Sequence, residues 1–385
     1  MEFIRRLERG ERVTDLCREY GIARKTGEKF KKRFREHGLT GLQDRSRAPV
    51  VIPHKTPPEL VALILAHRRQ HPTWGPKKLK ATLQADLGRA LPAASTIGDI
   101  LTSAGLIEPR RRRPRHVPTP TGSRAVTAPN DVWCIDYKGQ FRLGDGTYCY
   151  PLTITDQYSR FILCCEAMGV IADEAARAHC LEVFATHGLP TVMRSDNGVP
   201  FASSGLAGLT KLSVLWLRLG IQLERTRPAH PQDNGRHERM HRTLKQETAR
   251  PARANLLQQQ EQFDAFVEEF NGQRPHEALG MRPPAAVYTP SVKRCPATLP
   301  ALEYPSCDDV RRVGRNGMLS LAGRRQVYLS TALACEDVGL REDNEIDDRW
   351  HVSFANLALG YVDAGSEHFT PLPHATPTGP ASGEA

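Results

Sequence analysis

The stretch Asp131-Val132-Trp133-Cys134-Ile135-Asp136-Tyr137-Lys138-Gly139 decides how this 385-residue chain is read. The residues before it carry helical spacing. From here short apolar runs alternate with helical segments, which points to an α/β domain. Val132 to Tyr137 has the length of a strand and carries a carboxylate, Asp136, near its end. A buried strand seldom accepts an unpaired charge, so Asp136 needs a partner or a task. A second acid stands in the matching place: Val192-Met193-Arg194-Ser195-Asp196-Asn197-Gly198 ends a strand over 190–195, and Asp196 falls where the chain turns. If the two strands are neighbours, both carboxylates meet at one sheet edge, at the strand ends where open α/β sheets bind their ligands.

Working outward, the spacing predicts further strands over 148–155, 161–166 and 221–225. Helices are predicted over 173–187 and 206–219, and a long one from near Gly235. Phe263, Phe266, Val267 and Phe270 recur at i, i+3, i+4 and i+7 and mark a closing helix packed on the core. A third acid comes from the run His230-Pro231-Gln232-Asp233-Asn234-Gly235-Arg236-His237-Glu238. Glu238 lies in the first turn of the long helix, with His241, Arg242 and Lys245 read on the same face. That face offers one carboxylate for a metal and three groups suited to a phosphate backbone. Three oxygen ligands without Cys or His suit Mg²⁺, and two such ions can serve both ends of an in-line displacement at phosphorus. Taken singly the signals stay open. Asp-Asn-Gly after a strand is also a common turn, and an acid at a helix start also complements the helix dipole. Asp233, in the loop before the helix, is a rival third acid. Asp156, at the end of a strand, is read as structural and as a partner of Arg160.

Charge is unevenly spread. Of a net +10, residues 1–126 carry 27 Lys+Arg against 12 Asp+Glu, and the remainder is slightly acidic. A basic front third is the footprint of a polyanion binder. Val13 to Tyr20, a turn at Gly21-Ile22-Ala23 and Arg24 to His37 form a helix-turn-helix pattern. Lys25, Lys29, Lys32 and Arg33 lie on the helix expected to meet DNA, unless that helix is merely a solvated charged one. A second helix-turn-helix module is read after Pro58, with Ser95 expected to cap its last helix over 96–103. The basic Pro-rich run with Arg111 and Arg112 reads as a linker that tracks DNA or as a plain spacer. Beyond Pro290 short β runs around Asn316-Gly317 predict a small barrel, and the Pro-, Gly-, Ser- and Thr-rich end predicts a disordered tail. The nine cysteines include no Cys-x-x-Cys pair, which leaves a zinc finger without ligands and fits a reducing cytoplasm. No window reaches the roughly 18 apolar residues of a membrane span.

These expectations give modules over 1–50 and 58–108, a linker over 109–125, a catalytic core over 126–290, a barrel over 300–365 and a tail over 366–385. Several motifs then carry a resemblance: Trp133-x-x-Asp136, Thr155-Asp156-x-Tyr158-Ser159-Arg160, Ser195-Asp196-Asn197-Gly198, the run from His230 to Lys245, and Phe270-Asn271-x-x-Arg274-Pro275-His276-x-Ala278-Leu279. Gly38 to Arg47 adds a further match in front. Together they resemble bacterial insertion-sequence transposases of the Asp-Asp-Glu class, whose core is related to retroviral integrase.

That resemblance implies a ribonuclease-H-like fold, a mixed five-stranded sheet with helices on both faces. It also implies Asp136, Asp196 and Glu238 as ligands of Mg²⁺ or Mn²⁺, two ions per site, and Lys245 on DNA. The partners implied are double-stranded DNA, as transposon ends and target, and further copies of the chain. The protein would sit in the bacterial cytoplasm on the nucleoid. Asp196 and Glu238 are 42 positions apart, longer than in retroviral integrases, and a surface helix around 203–220 is expected to absorb the difference. The first helix of the front module is expected to be truncated. The activity expected is metal-dependent cleavage at transposon ends and strand transfer. The alternatives are a catalytically inactive DNA-binding repressor derived from such an enzyme, and a nuclease that cuts without joining.

Overall fold

A computed structural model describes residues 2–44, 55–107, 125–137, 139–227, 234–321, 326–346, 348–363 and 368–372. The chain divides into two compact units, Met1–Pro58 and Glu59–Ala385.

In the first unit, α1 (Glu2–Glu8), α2 (Val13–Glu19) and α3 (Arg24–His37) form a three-helix module. The first helix, expected to be cut short, is present. Its Ile4 is buried, and its Arg6 pairs with Glu11, ahead of α2, at 2.7 Å and with Glu19 of α2 at 2.6 Å. Gly27 lets α2 and α3 approach: a methyl group there would collide with Cys17 Sγ and crowd Phe3 and Val13.

From Glu59 the second unit carries the rest of α4 (Pro58–Gln70), then α5 (Pro76–Leu87) and α6 (Ala94–Ser103), closed around Leu60, Ile64, Trp74, Leu79, Ile97 and Leu101. The helix α6 starts one residue before the expected cap. Its flanking residue is Ala93, which has no side chain to accept a hydrogen bond, so Ser95 lies inside the helix.

The central sheet runs β2-β3-β1-β5-β6, with β4 also on β3. Its strands are β1 (Val132–Tyr137), β2 (Phe141–Arg142), β3 (Tyr148–Asp156), β4 (Ile162–Met168), β5 (Val192–Ser195) and β6 (Gln222–Arg225). The two-residue β2 raises the expected five strands to six. The strands β1, β5 and β6 are parallel neighbours, and β3 lies antiparallel between β1 and β4. Alternation along the strands divides the side chains between two layers. Trp133, Ile135, Leu152 and Ile154 pack on α7 (Asp173–His187) and α8 (Lys211–Arg218). Cys149, Ile162 and Cys165 pack on α9 (Gly235–Thr248) and α10 (Leu256–Gly272).

The helix α8 departs from expectation twice. The segment 206–219 is a short 3-10 turn at Leu206–Gly208 followed by α8, because Thr210 and Ser213 form a capping box that starts a new helix. It is also no surface helix. Leu212, Leu215 and Trp216 enter the core under the sheet, while Val214 and Leu217 enter a second core with the C-terminal strands. A helix apolar all round is a buried helix.

That second core is closed by an antiparallel sheet of β7 (Asp309–Arg312), β10 (Asp337–Glu342), β11 (Arg349–Phe354), β12 (Leu357–Asp363) and β13 (Thr370–Pro371). The hairpin β8 (Met318–Ser320) and β9 (Gln326–Tyr328) joins it through the Val313–Leu319 bridge. Among the described residues the strand order is an open path rather than a closed ring. Thr370 and Pro371 pair with Tyr361 and Gly360, so the sheet reaches into the stretch expected as tail.

Candidate active site

The parallel register Val132–Val192, Trp133–Met193, Cys134–Arg194 sets the site. Asp136 and Asp196 each lie two residues past the last of these pairs, so the register brings both acids to the same end of adjacent strands. Asp196 begins the turn that ends β5. Its Oδ1 accepts from Gly198 N at 3.0 Å, and Asn197 Nδ2 donates to Thr226 O at 2.7 Å, which ties the loop to the end of β6. A side chain at position 198 would crowd the Asp196 carboxylate, with its Cβ 3.1 Å from Oδ2. Behind Asp196, Arg194 is buried and paired with Glu224 of β6 at 2.9 Å.

The helix α9 crosses the same end of the sheet, and buried polar groups hold it there. Thr153 and Thr155 alternate with Leu152 and Ile154 along β3, so their hydroxyls face α9. Thr153 Oγ1 donates to Asp136 O at 3.1 Å. A hydroxyl has one proton, so His237 Nε2 at 2.8 Å and His241 Nε2 at 2.6 Å both donate to that oxygen. His237 Nδ1 then accepts from Thr155 Oγ1 at 2.7 Å. The two imidazoles meet edge to face at 4.4 Å, and His241 Nδ1 stands 3.7 Å from Asp136 Oδ2.

Asp136, His237 and His241 offer ligand atoms within 4.8 Å of one another, enough to hold a metal ion. Both nitrogens of His237 are already committed to threonines, which makes it a strut between α9 and β3. His241 Nδ1 and Asp136 Oδ2 are the pair that faces a prospective ion.

This arrangement corrects two readings. His241 does not share the outer face of α9 with Glu238, Arg242 and Lys245. It is 3% exposed and turned into the sheet, while those three are exposed. A buried side chain does not reach a DNA backbone, so His241 belongs with Asp136. Asp156 is structural as expected, but Arg160 is not its side-chain partner. Its carboxylate accepts from Asn130 N at 2.8 Å, Ser159 N at 2.7 Å and Ser159 Oγ at 2.6 Å. Burial raises the pKa of this carboxyl above the ordinary carboxylate range despite those bonds.

Of the other residues named from sequence, Arg236 is exposed on the first turn of α9 and donates to Gln157 O at 3.2 Å. On α3, Lys25, Lys29 and Lys32 sit on the outer side with Arg33 half-buried. Arg111, Arg112 and the rival acid Asp233 lie outside the described residues. His237, Thr153 and Thr155 were not singled out from sequence. The signal was available: His237, Met240, His241, Leu244 and Thr248 repeat at helical spacing and are all buried. Asn271 and Arg274, from the last matching motif, brace the site from behind. Asn271 bonds both backbone groups of Ile162 at 2.9 Å, and Arg274 pairs with Glu247 of α9 at 2.8 Å.

The family described as Integrase core domain matches residues 126–231 and, in a second form, 219–284. The chain carries an integrase core. In front of it, a Helix-turn-helix domain matches residues 1–49 and a Homeodomain-like domain matches 26–101. The chain is 26% identical over 235 residues to an uncharacterized 31.7 kDa protein of insertion element IS407 from Burkholderia multivorans. The match covers 57% of this chain and 76% of that one. It is 29% identical over 201 residues to the Gag-Pol polyprotein of baboon endogenous virus, covering 51% of this chain but only 11% of the polyprotein. The HTLV-2 integrase catalytic core domain in complex with magnesium aligns at 13% identity with a TM-score of 0.34, over 42% of this chain and 98% of that one. The insertion-sequence transposase resemblance thus stands on both the core and the helix-turn-helix modules. No described helix is long and apolar enough to cross a membrane.

Proposed function

We propose that the chain is a DNA transposase that cleaves the ends of its element and joins the resulting 3′-hydroxyl ends to target DNA, with Asp136, Asp196 and Glu238 as ligands of divalent metal. The observation that carries this is the β1–β5 register, which supports a shared edge for the two aspartates inside an integrase core. Glu238 enters by its position: it follows His237, which is bonded to Thr153 and Thr155 beside Asp136, so the first turn of α9 lies over that edge.

The donors fit a divalent cation. Carboxylate oxygens suit Mg²⁺, and the His241 nitrogen facing Asp136 is a donor that Mn²⁺ accepts more readily. Bound metal would activate the attacking oxygen and neutralise charge at the leaving oxygen. The protein's own groups orient and exclude. Thr153 fixes the Asp136 backbone, His241 limits where the Asp136 carboxylate turns, and Arg242 and Lys245 on the open face of α9 attract the DNA backbone. Lys25, Lys29, Lys32 and Arg33 on α3, with Arg111 and Arg112 beyond α6, would bind the element's ends. On this reading the partners are double-stranded DNA and further copies of the chain, in a cytoplasm where DNA is accessible.

The test is an assay of nicking and joining on DNA with the element's terminal sequences. Wild type is expected to do both with Mg²⁺ or Mn²⁺ and neither in EDTA. Asp136→Asn, Asp196→Asn and Glu238→Gln are expected to bind DNA but do neither. An active Glu238→Gln would transfer the third-ligand role to another acid, and turnover in EDTA would end the metal reading.

A further inference from the structure

The segment Asp156-Gln157-Tyr158-Ser159-Arg160 takes no part in the chemistry above, yet it is tightly bonded. The buried Asp156 carboxylate gathers Asn130 N and both donors of Ser159, and Arg160 N donates to Asp156 O at 3.0 Å. Arg160 is left at φ 68°, a left-handed backbone conformation uncommon for arginine. This turn directs its guanidinium back onto Gln157 O. The same oxygen accepts from Arg236 Nη1 at 3.2 Å, so two guanidiniums from different elements converge on one carbonyl.

A carbonyl does not neutralise two cations. Asp156 is the acid whose charge acts on Arg160, and its oxygens are spent in the turn. Burial and then the charge of Arg236 pull the Arg160 guanidinium down to about 10. Arg239, one turn along α9 from Arg236, acts on Arg160 and also on Lys78 of α5. Burial and then Arg274 draw Lys78 down to about 7. The acid whose charge acts on Lys78 is Glu247, itself paired with Arg274. Arg236 stands two residues before Glu238.

We propose that Arg160 and Arg236 clamp a single backbone phosphate of the DNA strand entering the metal-binding edge. Planar guanidinium forks match phosphate oxygens, and a phosphate relieves the repulsion between them. The proposal rests on the transposase reading, because that reading makes DNA the anion.

The experiment measures binding of the full chain to a terminal-repeat duplex across a salt series for wild type, Arg160→Gln, Arg236→Gln and the double variant. Each neutralised phosphate contributes a slope of about −0.9 in log K against log salt. Each single variant is expected to bind roughly tenfold more weakly, the scale of a lost charge-assisted bond. The double variant is expected to flatten the slope by about 0.9 and no more, because the two arginines share one phosphate. A neutral methylphosphonate at that one position should weaken wild type and leave the double variant unchanged. Thermal midpoints equal to wild type verify that each variant is folded. Wild-type affinity in the variants, or slope changes of about 0.9 each that add in the double variant, overturns the clamp. Cleavage by wild type alongside unaltered binding by the variants removes the clamp and keeps the transposase. The expected binding pattern without cleavage by wild type does the reverse.

Discussion

Thr153 Oγ1 touches Asp136 O, His237 and His241 at once, all buried or half-buried. The isosteric Thr153→Val leaves those groups without their shared partner, and an unmet buried polar group costs about 1–3 kcal/mol. Stability by urea unfolding is expected to fall by about that much, and cleavage to fall with it as Asp136 loses its orientation. Thr153→Ser, which keeps the hydroxyl, is expected to recover both. Unchanged cleavage in Thr153→Val would show that Asp136 is positioned without this hub. The residue types of the site were legible in sequence, because a carboxylate ending an apolar strand is a local anomaly. The roles of His241 and Thr153 were not. Whether a helical His turns to solvent or to the sheet depends on which strand lies beneath it.

Among the elements, α2 and α3 depend on one close approach. Alanine favours helix over glycine by about 1 kcal/mol at an exposed site, so local propensity alone predicts that Gly27→Ala stabilises. The collision with Cys17 Sγ reverses the sign. Overpacking of this kind costs about 1–3 kcal/mol, read as earlier loss of helical circular dichroism from the first unit on heating. Cys17→Ala in the same chain makes room and should recover most of the loss. A Gly27→Ala protein that melts later than wild type would contradict the packing described. Helix positions such as Arg24–His37 and Asp173–His187 followed directly from periodicity. The 206–219 segment did not, because the Thr210–Ser213 capping box starts a helix in mid-segment.

Across the whole molecule, α8 ties the integrase core to the C-terminal strands. Val214 and Leu217 share a core with Val338, Leu340 and Phe354 of the last sheet. The connecting segment is also held, by Leu189 N donating to Lys293 O and Ser291 N to His187 O, both at 2.8 Å. A chain ended at Pro290 would expose one face of α8, at about 1.5–3 kcal/mol for each large apolar side chain uncovered. The shortened protein is expected to melt at lower temperature and to associate in gel filtration. Melting at the wild-type temperature as a monomer would mean that the C-terminal sheet is an independent module.

The sequence by itself determined the order of modules, the five main strands of the core and the two aspartates at strand ends. These follow from composition and from periods of 2 and 3.6 residues, which are properties of the local chain. Only the tertiary structure decided that α8 is covered on both faces, that His237 and His241 turn inward to the threonines of β3, and that Arg160 meets Arg236 on one carbonyl. Each depends on which distant segment supplies the neighbour. Periodicity tells which residues share a face, and packing alone tells what that face meets.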